Sequence, residues 1–226
     1  MSVARRPLLA FAGFALLPVA RYAAGAETLV KGSGVASTQR RDVGTFVGVG
    51  LAAPFAVVLR AASREAIEIV ADDNILPLVQ TQLKGSGNER SLQIDLPRDT
   101  RVEPRTPIVI TVDYVRLQDL AIGGSGKIDL AGLDAERLSV AIGGSGTFRA
   151  DGRARTLSVS IGGSGRCDAE RLVAADVSVS IGGSGDARVR AETALSASIA
   201  GSGDLYHAGA AVPQAAIVGS GRIKRI

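Results

Sequence analysis

The tripeptide Gly-Ser-Gly recurs through the second half of the chain with its serine at positions 125, 145, 164, 184, 202 and 220, so successive copies lie 18 to 20 residues apart. A unit of that length has no core of its own and buries apolar surface only by stacking on its neighbours. Three residues before each serine stands an isoleucine, at Ile122, Ile142, Ile161, Ile181, Ile199 and Ile217. Five before stand Leu120, Val140, Val159, Val179, Ala197 and Ala215, and the column between reads Ala121, Ala141, Ser160, Ser180, Ser198 and Ala216. Apolar residues alternating with small or polar ones mark a half-buried strand. Past the turn the alternation resumes with Ile128, Phe148, Cys167, Ala187, Leu205 and Ile223 in a second inward column.

Each copy reads as strand, Gly-Ser-Gly corner, strand and variable return. The sequence therefore predicts an all-β fold, a right-handed parallel β-helix (solenoid) with coils of 18 to 20 residues. Glycine suits a corner that needs positive φ or close backbone approach. The last two corners begin with Ala200 and Val218, so the first glycine of Gly-Gly-Ser-Gly is the dispensable one. The corner serines are expected to bond the corner backbone or one another up the stack. Outward, Asp129, Arg149, Asp168 and Arg188 alternate in sign and are expected to pair as a ladder, and Arg222, Lys224 and Arg225 would blunt the final edge.

Four segments are expected. Residues 1–26 read as a signal peptide, with basic Arg5 and Arg6, an apolar run from Leu8 to Ala20 too short to span a membrane, and an Ala24-Gly25-Ala26 cleavage site. Residues 27–42 read as a flexible leader, 43–114 as an N-terminal β region of degenerate coils, and 115–226 as the regular repeats. Within the second region, Asp72 to Leu83 reads either as a short helix interrupted at Pro77 or as an irregular rung. Gly85-Ser86-Gly87 lies about two periods before the first regular corner.

Several function classes fall away on composition. The chain has 26 Lys and Arg against 22 acids; removing Arg5, Arg6 and Arg21 with the leader leaves 23 against 22, nearly neutral, which argues against a nucleic-acid partner. One cysteine, Cys167, allows no internal disulfide, and one histidine, His207, allows no repeated triad and no His/Cys metal cluster. Neither a phosphate loop nor a calcium β-roll matches the spacing, so no metal or cofactor is expected. Paired carboxylates are the remaining catalytic alternative, a glycan-active enzyme using Asp72 with Asp73 or Asp186 with Asp204. The main expectation is non-enzymatic. The outward serines Ser139, Ser158, Ser178 and Ser196, beside Ser160, Ser180 and Ser198, form a flat hydroxyl face for an envelope or extracellular glycan or protein. A periplasmic scaffold for a protein partner is a further alternative.

The Phe46-x-x-Val49 strand, the run "EIVADDNILP", the Leu117-x-x-Leu120-x-Ile122 entry and the train of Gly-Ser-Gly corners together resemble the family of the putative auto-transporter adhesin, head GIN domain. That resemblance implies an exported β-helical protein of the periplasm or cell surface, with no established catalytic residues to carry over. No carboxy-terminal membrane barrel is expected in the 226 residues.

Overall fold

The computed structural model describes residues 28–87 and 89–226, so the expected signal peptide lies outside the described residues. Among the described residues, every regular element except a 3-10 turn at Leu76–Leu78 is a strand. The amino-terminal half carries β1 (Thr28–Lys31), β2 (Ala36–Asp42), β3 (Gly48–Leu51), β4 (Ala56–Ala61), β5 (Ala66–Asp72), β6 (Gln80–Lys84), β7 (Ser91–Asp95), β8 (Thr100–Glu103) and β9 (Val109–Tyr114). The carboxy-terminal half carries β10 (Asp119–Gly124), β11 (Lys127–Gly144), β12 (Thr147–Gly163), β13 (Arg166–Gly183), β14 (Asp186–Gly201), β15 (Asp204–Ala208), β16 (Pro213–Gly219) and β17 (Arg222–Arg225).

The second half winds as a parallel solenoid in the predicted register. Ile122 pairs with Ile142, then Ile161, Ile181, Ile199 and Ile217 follow coil by coil. Ile122, Ile142, Ile161, Ile181 and Ile199 are each 1% exposed, and the second column from Ile128 to Leu205 is fully buried. Burying such a side chain contributes roughly 1.5–3 kcal/mol, and identical residues stacked ~4.8 Å apart make one continuous core. At the last coil the columns surface: Ile217 is 42% exposed and Ala215 is exposed.

The returns are strand rather than loop. β11 to β14 run 16 to 18 residues each, through the bend opposite the corner. Register breaks between Leu130 and Leu133, Arg149 and Asp151, and Ala169 and Val173. The one- and two-residue differences in repeat length are absorbed there as bulges, so every corner stays aligned.

The corner itself explains the three glycines. The second glycine has positive φ in every copy, from 110° at Gly124 to 144° at Gly163, a region that L side chains avoid. The third packs over the previous coil: a Cβ on Gly165 would stand 2.4 Å from Ile142 Cγ2. The first is free, with nothing within 4 Å of a Cβ on Gly162. The serine backbone, not its hydroxyl, ties the corner. Ser145 N–H donates to the Gly124 carbonyl at 2.9 Å, and Ser164, Ser184, Ser202 and Ser220 repeat the bond at 2.8–2.9 Å. The six side chains are exposed.

The amino-terminal half departs from the expectation of simple degenerate coils. Two rungs do belong to the solenoid. β3 and β4 stack parallel on β10 and β11, and β7 and β9 stack parallel on β3 and β4. The rung later in sequence is thus the outer one. β5 then pairs antiparallel with β9 and β2, and β6 antiparallel with β7. With the buried Ile75, Leu76 and Val79 of the 3-10 turn segment, these strands cap the amino end of the core. Gly85-Ser86-Gly87 is the turn of the β6–β7 hairpin and not a solenoid corner.

The segment expected to be a flexible leader is paired as well: β1 lies parallel to β8 and β2 antiparallel to β5. The fully buried Asp72 carboxylate ties it down, accepting N–H bonds from Gly34 at 2.9 Å, Arg105 at 2.9 Å and Thr106 at 3.1 Å. Asn74 adds bonds to Ser33 N–H and the Lys31 carbonyl.

Candidate binding faces

The predicted serine face forms on the strand before the corner. Ser139, Ser158, Ser178 and Ser196 are successive register partners, as are Ala141, Ser160, Ser180 and Ser198. Ser139 is half-buried and the other six serines are exposed. Because each stands between two inward residues such as Val159 and Ile161, period-two geometry aims it at solvent.

The face is longer than its sequence pattern. Asp119 pairs with both Ser139 and Gly48, and Gly48 with Ser91, so one column runs Ser91, Gly48, Asp119, Ser139, Ser158, Ser178, Ser196 and, through β16, Gln214. The adjacent column begins Gln93, Gly50, Ala121 and Ala141. Gly48 and Gly50 give Ser91 and Gln93 room to lie flat: a Cβ on Gly50 would meet Gln93 Oε1 at 2.3 Å. A shallow groove of about 180 Å³ opens there, bordered by Gly50, Ser91, Gln93, Asp119, Ser139 and Ala141. Sequence reading missed this extension because the outer rungs are not in chain order.

The acids nominated for catalysis are occupied by structure. Asp186 Oδ1 accepts the Asp204 backbone N–H at 3.1 Å, and Asp204 Oδ1 in turn accepts the Arg222 backbone N–H at 3.1 Å. Arg222 also grips Asp204 Oδ2 through Nη2 at 3.0 Å. The Arg222 side chain thereby holds the Asp204 carboxyl below its ordinary value, against the opposing effect of burial. A general acid needs the opposite shift. Asp72 is likewise committed: burial pushes its carboxyl up, but the N–H donors of Thr106, Arg105 and Gly34 outweigh that and bring it below the ordinary value.

The two rare side chains are core residues. Cys167 is fully buried in the second inward column, its thiol pushed up to about 12 by burial and then by the Asp168 charge. His207 is 4% exposed, with Nδ1 buried and unpartnered among the described residues. The outward ladder is in register, Asp129 to Arg149 to Asp168 to Arg188, but its rungs do not close as ion pairs; Lys127 of the same coil takes Asp129 at 2.8 Å. Among the described residues, no group of three metal-ligating side chains gathers, and no helix is long and apolar enough to cross a membrane.

Comparison with solved structures finds the same architecture. A crystal structure described as that of a putative adhesin from Bacteroides fragilis NCTC 9343 superposes with a TM-score of 0.71 at 21% identity, covering 87% of this chain and 100% of that one. A structure from Parabacteroides distasonis ATCC 8503, described as a putative lipid binding protein, gives a TM-score of 0.55 at 19% identity, covering 88% and 100%. No curated protein matches the sequence. At these identities the likeness is one of fold. The family model described as putative auto-transporter adhesin, head GIN domain, matches residues 45–211, and the chain belongs to that family.

Proposed function

We propose that the protein is an exported, non-enzymatic binding module of the cell envelope, in the periplasm or at the cell surface, that docks an extended glycan or protein partner along its serine face. The observation that carries this reading is the eight-position column from Ser91 to Gln214, in which only Asp119 is charged. Seven intervals of ~4.8 Å make a flat strip about 34 Å long, rigid because each rung is hydrogen-bonded to the next. A strip of small hydroxyls lets a polymer approach the backbone closely and offers bonds at a fixed repeat. The family and the fold of its relatives support the same class of role. The engaged states of Asp72, Asp186 and Asp204 support a non-catalytic one.

The test is an array of envelope and extracellular glycans probed with the purified protein, read for both retention and loss of the arrayed chains. Saturable retention abolished by Ser160→Arg, Ser180→Arg or Ser198→Arg supports the reading. Cleavage of a glycan, or retention indifferent to all three exposed substitutions, overturns it.

A further inference from the structure

The strand after the corner carries a second, charged feature. Arg166 of β13, Asp186 and Arg188 of β14 and Tyr206 of β15 line a shallow pocket of about 200 Å³. Three successive coils supply it, since Arg166 is the register partner of Asp186 and Arg188 that of Tyr206. The Arg188 guanidinium stands 5.4 Å from the Tyr206 ring centroid, and Lys224 Nζ stands 5.6 Å from the same ring. Stacking on an aromatic ring engages the face of a guanidinium and leaves its in-plane N–H donors for another acceptor. Among the described residues Arg188 makes no ion pair: its register neighbour Asp168 does not close on it, and the other nearby acids are engaged elsewhere. Asp204 is held by Arg222, and Asp186 receives the Asp204 N–H while standing 4.0 Å from Arg166.

We infer that this pocket is a subsite for the carboxylate of an acidic sugar within a glycan. Arg188, preoriented by Tyr206, offers a bidentate fork that matches a carboxylate, and Arg166 supplies a second cation beside it. Asp186 Oδ2 is an acceptor at the same rim. A sugar acid carries the anion for the guanidiniums and ring hydroxyls for Asp186. Phosphate, or the carboxylate of an acidic peptide, meets the guanidiniums without a sugar ring's array of hydroxyls to set against Asp186. The volume suits a single sugar ring. In the same outward column Arg149, beyond Asp168, and Lys224, beyond Tyr206, each stand two coils from Arg188, about 9.6 Å away at ~4.8 Å per coil, so that a polymer along the axis meets cations at alternate coils. The subsite lies across the corner from the serine face. It shares with the proposed function only the ligand class and stands or falls separately.

Isothermal titration of the purified protein, with galacturonate and glucuronate hexasaccharides as probes, tests the inference. The comparison ligands are the carboxyl-reduced hexasaccharides, inorganic phosphate and a hexaglutamate peptide. A uronate is expected to bind saturably, to weaken about tenfold or more with Arg188→Gln or Arg166→Gln, and to weaken as salt rises. Asp186→Asn is expected to narrow the preference for uronate over phosphate. Ser160→Arg and Ser180→Arg should leave uronate binding intact, which separates this result from failure of the serine face. No uronate binding, equal or tighter binding of phosphate, peptide or reduced sugar, or indifference to Arg188→Gln in protein of unchanged circular dichroism overturns the assignment.

Discussion

Gly146 lies over Ile122 of the preceding coil so closely that a Cβ on the glycine would stand 2.4 Å from Ile122 Cγ2. The same approach recurs between Gly165 and Ile142 at 2.4 Å and between Gly185 and Ile161 at 2.6 Å. The third glycine of each corner is therefore what lets the isoleucine column close. Gly165→Ala is expected to cost about 1–3 kcal/mol by overpacking. Gly163→Ala adds backbone strain, because φ is 144° and a Cβ would meet the Gly144 carbonyl at 2.6 Å. Gly162→Ala should change stability by less than about 0.5 kcal/mol, having nothing within 4 Å to meet. Urea unfolding of the three variants checks the ranking; equal losses at 162 and 165 would discard this account of the corner.

Much of the solenoid was legible because its period is local. Ile122 to Ile217 and Ser139 to Ser196 sit at nearly constant offsets, and a stacked coil turns constant offset into contact. The amino-terminal half hid its order for the same reason. Ser91 reaches the serine face only through Gly48, which precedes it in sequence, so no fixed offset reports their pairing. The cap was hidden differently. Asp72 looked like half of a carboxylate pair, yet its neighbours are backbone N–H groups of Gly34, Arg105 and Thr106, which have no signature in side-chain pattern. The leader became ordered through those same long-range bonds.

Cys167 should be silent toward thiol reagents in the native state. The thiolate is the reactive form, and burial lifts the thiol to about 12, with the Asp168 charge adding to the effect. Labelling with a chromogenic disulfide is expected to proceed only as fast as the β12–β13–β14 stack opens and to become rapid in denaturant. Fast stoichiometric labelling in buffer would mean that the second inward column is not closed around Phe148, Cys167 and Ala187.

His207 is expected to make the carboxy-terminal coil sensitive to mild acid. Its ring sits in the inward column between Val189 and Arg225, with Nδ1 buried and unpartnered among the described residues. Burial first, and the Arg225 charge second, hold its pKa below the ordinary 6.5. The unfolded chain therefore takes up the proton at higher pH than the folded one. Stability is complete above 6.5 and falls as pH drops from there toward the lower folded value. His207→Val, matching Val189 one coil below, should remove the slope that sets in as pH falls below 6.5 while leaving stability at neutral pH equal or higher. Thermal melts across that range read the effect. A wild-type slope retained in the variant would assign it to another group.

Asp204 fastens the last coil, and its loss should be local. The carboxylate accepts the backbone N–H and the side chain of Arg222, the first residue of β17, and among the described residues that strand pairs with β15 alone. The Arg222 side chain is the main cause of the lowered Asp204 pKa. A depressed carboxyl stabilises the fold fully above its unfolded value of 3.8, and that contribution disappears as pH falls below it through the folded value. Asp204→Asn keeps an acceptor for the backbone N–H but removes the charge. Amide exchange in β17 and at Ser220 is expected to accelerate, with β11 to β13 unchanged. Global loss of protection would mean that the terminal coil is coupled to the whole stack, as a one-dimensional solenoid with nearest-neighbour contacts should not be.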